Sequence, residues 1–156
     1  MTGPEIDVAA EIALEKLQNQ NRGSRLIEKA KGILVFPSVI KGGFGFGAEY
    51  GDGVLLVKNE TNTYYNMLSV SVGWQMGIQS RTVVMFFMTD EALESFRISD
   101  GFKVGVDASV AVITLDTGVE FNDKELMQPV IAIVTDRQGL MYNLSLEGTK
   151  ITKVTR

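Results

Sequence analysis

The stretch Lys41-Gly-Gly-Phe-Gly-Phe-Gly-Ala-Glu-Tyr-Gly-Asp-Gly53 constrains the fold more than any other part of this chain. Phe44, Phe46, Ala48 and Tyr50 fall on one side of an extended backbone, and Gly43, Gly45 and Gly47 on the other. A period of two belongs to strands. Gly43-x-Gly45-x-x-Ala48 does match a loose dinucleotide fingerprint, but that fingerprint needs a helix after its glycines to aim backbone amides at a pyrophosphate. Here Gly51-Asp52 predicts a two-residue hairpin turn and Gly53-Val-Leu-Leu-Val57 a returning strand. Lys41 precedes the glycines and no Gly-Lys-Ser/Thr follows them, so a Walker loop is absent as well. Glycine weakens a strand unless something approaches closely or the sheet bends sharply. The stretch therefore points to a strongly curved sheet with one close-packed face of small residues.

The same alternation recurs over 69–79, where Val70, Val72, Trp74, Met76 and Ile78 share a face, and over 102–112, where Phe102, Val104, Val106, Ala108, Val110 and Val112 do. Thr82–Met88 is apolar on both faces and predicts a central strand. Val130–Thr135 predicts another, followed by a turn at Asp136–Gly139, an alternating strand at Leu140–Leu146, a turn at Glu147-Gly148 and a final strand near Lys150–Val154. Helical spacing of Ile6, Ala10, Ala13, Leu14 and Leu17 predicts an amphipathic helix over about 5–18. A second short helix follows, with Ser24 as its N-cap, Leu26, Ile27 and Ala30 as its apolar face and Gly32 at its end. Thr89 caps a third, over Asp90–Ile98, with Asp90 and Glu91 in the first turn where acids suit the helix dipole. Tight turns between most strands give an α+β class: a strongly curved antiparallel sheet or barrel of about eight strands, two N-terminal helices, and one helix inserted near 90–98.

The chain has 156 residues, enough for one domain whose core needs no disulfide or metal. It contains no cysteine and no histidine, which excludes disulfides, Ser-His-Asp and Cys-His catalysis, and histidine-ligated metals. No run reaches the roughly 18 to 20 apolar residues of a membrane span, and the N-terminus is acidic where an export signal is basic and then apolar. A net charge of −4 argues against unaided nucleic-acid binding.

That charge is unevenly placed. Residues 1–20 carry Glu5, Asp7, Glu11 and Glu15 against Lys16, whereas residues 22–41 carry Arg22, Arg25, Lys29, Lys31 and Lys41 against Glu28. A basic segment thus precedes the glycine stretch, either as a solvated helix face or as a patch facing an anion. Phe44, Phe46 and Tyr50, with Trp74 and Met76, are core residues or an apolar contact surface that this basic rim would complete for an anionic headgroup. Asp107, on the small-residue side of 102–112, needs partners if that side is buried. Asp116-x-Gly118-x-Glu120-x-Asn122 departs from a calcium loop at Phe121 and Met127, and Asn122 with Glu125 fits a capping box instead. No catalytic residue, metal site or cofactor emerges.

Three ordered stretches resemble the SYLF domain, a yeast actin-regulator domain also described as a domain of unknown function: Ala30–Gly51, Met88–Phe96 (Met-Thr-Asp-Glu-Ala-Leu-Glu-Ser-Phe) and Gly139–Thr152 (Gly-Leu-Met-Tyr-Asn-Leu-Ser-Leu-Glu-Gly-Thr-Lys-Ile-Thr). The resemblance covers residues 23–154, leaving 1–22 as a leading helix and connector. It implies a lipid-binding domain without known enzymatic activity. Eukaryotic members bind phosphoinositides, and some yeast members also bind and bundle actin filaments, so an actin-like protein partner is an expectation by analogy. The chain looks more like the stand-alone bacterial members, which are often exported and sometimes lipid-anchored. This implies an envelope location if an export signal precedes the sequence, and a cytoplasmic, membrane-peripheral one otherwise. Lipid binding in some eukaryotic members is assigned to a basic N-terminal helix, whereas the first helix here is acidic. The reading is a non-enzymatic peripheral module recognising anionic phospholipid headgroups through Arg25, Lys29, Lys31, Lys41, Phe44 and Phe46. The alternative is a protein-interaction domain of the cell envelope.

Overall fold

The computed structural model describes residues 1–42, 48–70, 80–115, 127–136, 139–142 and 145–156. Two helices, α1 (Gly3–Gln18) and α2 (Asn21–Lys29), lead into strands β1 (Gly32–Gly42), β2 (Ala48–Leu56), β3 (Thr63–Val70) and β4 (Ser80–Phe87). Helix α3 (Asp90–Arg97) follows, then β5 (Phe102–Lys103), β6 (Ala111–Val112), β7 (Val130–Thr135), β8 (Met141–Tyr142) and β9 (Lys150–Val154). Among the described residues the strands form one curled half-barrel in the order β5-β9-β3-β2-β1-β4-β7-β6. The far edge of β7 is shared, its first half pairing with β6 and its last two residues with β8. The β6–β7 pair is parallel, against the expected all-antiparallel sheet. Residues 113–129 separate those two strands, long enough for the crossover a parallel pair needs.

Strand alternation sorts the core into two layers. On the concave face Leu34, Phe36, Val83, Met85, Phe87, Val130, Ala132 and Val134 pack with Tyr65, Met67 and Ile151. Helix α3 closes this layer. Its Phe96 ring lies 4.8 Å from Tyr65, 4.8 Å from Phe87 and 5.1 Å from Phe102, distances typical of favourable aromatic pairs. Thr89 caps α3 as expected, its Oγ1 accepting from the Ala92 N–H at 3.1 Å. On the outer face Ile33, Val35, Val54, Val84, Phe86, Ile131 and Ile133 are covered by Ile6, Ala10 and Leu17 of α1 and Leu26 of α2. Asp7 fastens α1 to the sheet by accepting from the Tyr64 hydroxyl at 3.0 Å and the Asn62 amide at 3.1 Å. Helix α2 begins earlier than predicted: Gln20 is its N-cap residue, without a side-chain cap bond, and Ser24 lies within it.

Two further expectations are corrected. Gly51-Asp52 is no hairpin turn; β2 runs unbroken from Ala48 to Leu56. Gly51 and Gly53 face the concave side, where a Cβ on Gly51 would stand 2.7 Å from the Ser38 carbonyl oxygen and one on Gly53 2.4 Å from the Phe36 ring. The pairing of β1 with β2 shifts register between Val35 and Ile40, and these glycines let β2 lie against that irregularity. The second correction concerns 102–112, which is no single strand. Gly105 adopts a φ of +90° and donates to the Ala108 carbonyl at 2.8 Å, so the chain doubles back between β5 and β6. The strand predicted at 69–79 and the calcium-like stretch lie largely outside the described residues. Of the strand predicted at 140–146, Met141–Tyr142 forms β8, and residues 143 and 144 are outside the described set.

Candidate functional site

Helix α2 turns Gly23 and Leu26 inward, which leaves Arg25, Glu28 and Lys29 exposed. Arg25 and Lys29 stand four residues apart, so one helix face presents both. The helix stops at Ala30, and Lys31 is exposed just before β1 enters the sheet, its N–H donating to the Phe87 carbonyl at 2.8 Å. Among the described residues none of these three cations makes a side-chain hydrogen bond or ion pair. Arg22, by contrast, is half-buried and donates to the Thr114 carbonyl at 3.4 Å. The structure thus presents Arg25 and Lys29 on one exposed helix face and exposes Lys31 two residues past the end of that helix.

Lys41 is not part of that group. Its backbone stands opposite Glu49 in the β1–β2 register, at the far end of β1, and ten residues of extended chain from Lys31 span roughly 30 Å. Phe44 and Phe46, the expected apolar contacts, lie outside the described residues, as do Trp74 and Met76.

A set of surface residues that alternation alone did not single out sits on the outer face beyond the cover of α1. Ile40 is opposite Tyr50, and Tyr50 opposite Leu68. They are 37%, 44% and 50% exposed, which makes a continuous apolar row across three strands, with Lys150 next in register beyond Leu68. On α1, Val8 and Ile12 are likewise exposed. Reading this row from sequence requires the strand order; of its three residues only Tyr50 belongs to the apolar contact surface that alternation predicts.

The concave side carries a buried polar row at the same end of the sheet. Arg81 on β4 forms an ion pair with Glu49 on β2 across β1, both almost wholly buried. Burial lowers the Arg81 pKa, and the Glu49 charge opposes that shift. Glu49 lies opposite Ser69 in the register, and the Ser69 hydroxyl accepts from the buried Thr149 hydroxyl at 3.3 Å. Asp107, considered as a buried carboxylate, is instead exposed and accepts from the Lys103 N–H at 2.6 Å within the β5 turn. Asp90, Glu91 and Glu94 lie exposed on α3. Among the described residues no group of three or more acidic side chains is arranged to hold a metal, and no helix is long and apolar enough to cross a membrane.

A curled half-barrel sheet packed with three helices defines the class as a small α+β domain. Residues 68–156, more than half of the chain, match the family described as Las17-binding protein actin regulator (Ysc84), and the chain belongs to that family. It is 28% identical over 131 residues to the "SH3 domain-containing YSC84-like protein 1" of Bos taurus, a match covering 81% of this chain and 38% of that protein. Similarity extends to the "LAS seventeen-binding protein 3" and the "Protein YSC84" of Saccharomyces cerevisiae. Each is 25% identical over 133 residues, which is 81% of this chain and 29% and 28% of those proteins. The chain therefore spans well under half the length of these relatives. One of these relatives is named for binding LAS seventeen, and the family is described as an actin regulator.

Proposed function

We propose that this chain is a non-enzymatic module that docks on anionic phospholipid surfaces through Arg25, Lys29 and Lys31. The observation that carries this reading is the exposure of three cations within seven residues, none with a side-chain partner among the described residues, in a chain whose net charge is −4. Each basic side chain near an anionic membrane contributes about 1 kcal/mol, so three give weak, reversible and salt-sensitive docking. Co-sedimentation with vesicles of neutral phosphatidylcholine, or of phosphatidylcholine mixed with phosphatidylglycerol, cardiolipin or a phosphoinositide, tests it at low and physiological salt. Binding restricted to the anionic vesicles and weakened by salt supports the reading; no pelleting with any vesicle removes it.

A second reading is recruitment of a protein partner. It is favoured by a relative named for LAS seventeen binding, by the family's description as an actin regulator and by the Ile40–Tyr50–Leu68 row, which offers an apolar contact without charge. Capture of purified actin or a Las17-type protein, lost in Tyr50→Glu and indifferent to lipid, is its expected signature.

A further inference from the structure

Beyond the α2 cations, a groove of about 450 Å³ runs between α1 and the outer face of the sheet. Ile12 and Ala13 of α1 form one wall, and Pro37, Val84 and Met141 provide apolar lining from β1, β4 and β8. Lys16, an exposed residue, stands one turn beyond Ile12 and also lines the groove. None of Arg25, Lys29 and Lys31 contributes to it.

We propose that this groove binds a single long-chain fatty acid, with the alkyl chain along Ile12, Pro37 and Met141 and the carboxylate at Lys16. Three observations select this occupant. The volume falls near the lower end of the roughly 300–1,000 Å³ of small-ligand sites, which suits one alkyl chain rather than two. Among the described residues Lys16 has no hydrogen-bond or ion-pair partner, so its charge is available to a ligand anion. Asp136, the acid lining the same groove, is already engaged: its carboxylate accepts from the Leu140 N–H and from the Tyr142 hydroxyl, each at 2.9 Å. Among the described lining residues Lys16 is the one free cation, and one positive charge matches a monoanionic head better than a phosphate dianion. Ile12, half exposed, gives the groove an apolar wall that water now touches.

The test is calorimetric titration of the full chain with monomeric myristate, and with myristyl alcohol and myristyltrimethylammonium as neutral and cationic counterparts. Myristate is expected to saturate one site and to bind more tightly than either counterpart. Ile12→Glu, at a half-exposed position, places a carboxylate in the wall and weakens binding at least about tenfold by removing apolar contact. Lys16→Gln, at an exposed position, weakens it by about three- to fivefold, the size of one exposed ion pair. Lys29→Glu/Lys31→Glu retains myristate binding whether or not it loses vesicles, so the groove and the α2 docking reading fail separately. Absence of saturable myristate binding overturns the proposal. So does unaltered affinity in Ile12→Glu, equal or tighter binding of the alcohol or the ammonium, or loss of binding in the Lys29→Glu/Lys31→Glu control.

Discussion

Arg81 on β4 and Glu49 on β2 reach across β1 to form an ion pair in the concave interior, where neither side chain is more than 5% exposed. Two charges removed from water in this way stay tolerable only as a pair, because either one alone keeps its desolvation cost without its partner's attraction. Glu49→Gln or Arg81→Met should each lower the unfolding free energy by about 3 kcal/mol or more, whereas Glu49→Leu/Arg81→Met together should recover much of that loss. Urea denaturation of the three variants measures both effects, and single and double losses that simply add would contradict the pairing.

The close approach at β2 predicts an opposite kind of defect, too much side chain rather than too little. A Cβ on Gly53 would sit 2.4 Å and 2.7 Å from two carbons of the Phe36 ring and 2.7 Å from the Val35 carbonyl oxygen. Gly53→Ala should therefore cost about 1–3 kcal/mol, the usual range for overpacking a tight interior. Adding Phe36→Leu should return part of it, because the ring can be removed while the backbone carbonyl cannot. Had Gly53 served a turn, as Gly51-Asp52 suggests in sequence, the Phe36 change would give no relief.

What sequence reasoning could and could not reach follows from which forces are local. Val130–Thr135 and Lys150–Val154 are strands where predicted, and Thr89 caps α3, because each depends on side chains within a few positions. Gly51 and Gly53 were misread because the reason for them, the ring of Phe36 and the carbonyl of Ser38, arrives from another strand. Asp107 was misplaced because alternation over 102–112 cannot reveal that Gly105 turns the chain back. For the same reason the Arg81–Glu49 pair and the Ile40–Tyr50–Leu68 row had no local signature. Both exist only once the order β3-β2-β1-β4 is known. The exposure of Arg25 and Lys29 follows from the helical spacing of Leu26, Ile27 and Ala30, whereas the distance to Lys41 is set by the length of β1.

Asp52 predicts a pH dependence whose direction can be worked out. Burial alone raises its pKa, but hydrogen bonds from Arg156 and Asn66, the Arg156 charge and the Met1 ammonium outweigh it and hold the carboxyl below its ordinary value of 3.8. The contacts are 2.9 Å to Arg156, 3.3 Å to Asn66 and 3.4 Å to the Met1 nitrogen. As pH falls the unfolded chain takes up this proton first, so the Asp52 contribution is complete above the unfolded-state value and disappears as pH drops through the folded-state value. Asp52→Asn should be less stable than the parent at neutral pH, with the difference shrinking below about pH 4. Thermal unfolding across an acid series checks it, and a gap that stays constant to low pH would rule out the charge-based account.

The separation of Lys41 from the α2 cations divides the basic residues by experiment. Charge reversal at Lys29 and Lys31 together removes two attractions and installs two repulsions, a swing of about 4 kcal/mol at a charge-dominated membrane contact, which is enough to abolish weak docking. Lys41→Glu changes the net charge by the same amount per residue, yet it acts roughly 30 Å along β1, beyond the ~10 Å over which ionic strength near 0.1 M lets exposed charges act. It should leave vesicle binding by the α2 face nearly unchanged at physiological salt. Co-sedimentation of the two variants with phosphatidylglycerol vesicles measures the difference. Equal losses would mean that overall charge, rather than the Arg25–Lys31 face, governs the interaction; loss in Lys41→Glu alone would move the membrane contact to the opposite end of β1.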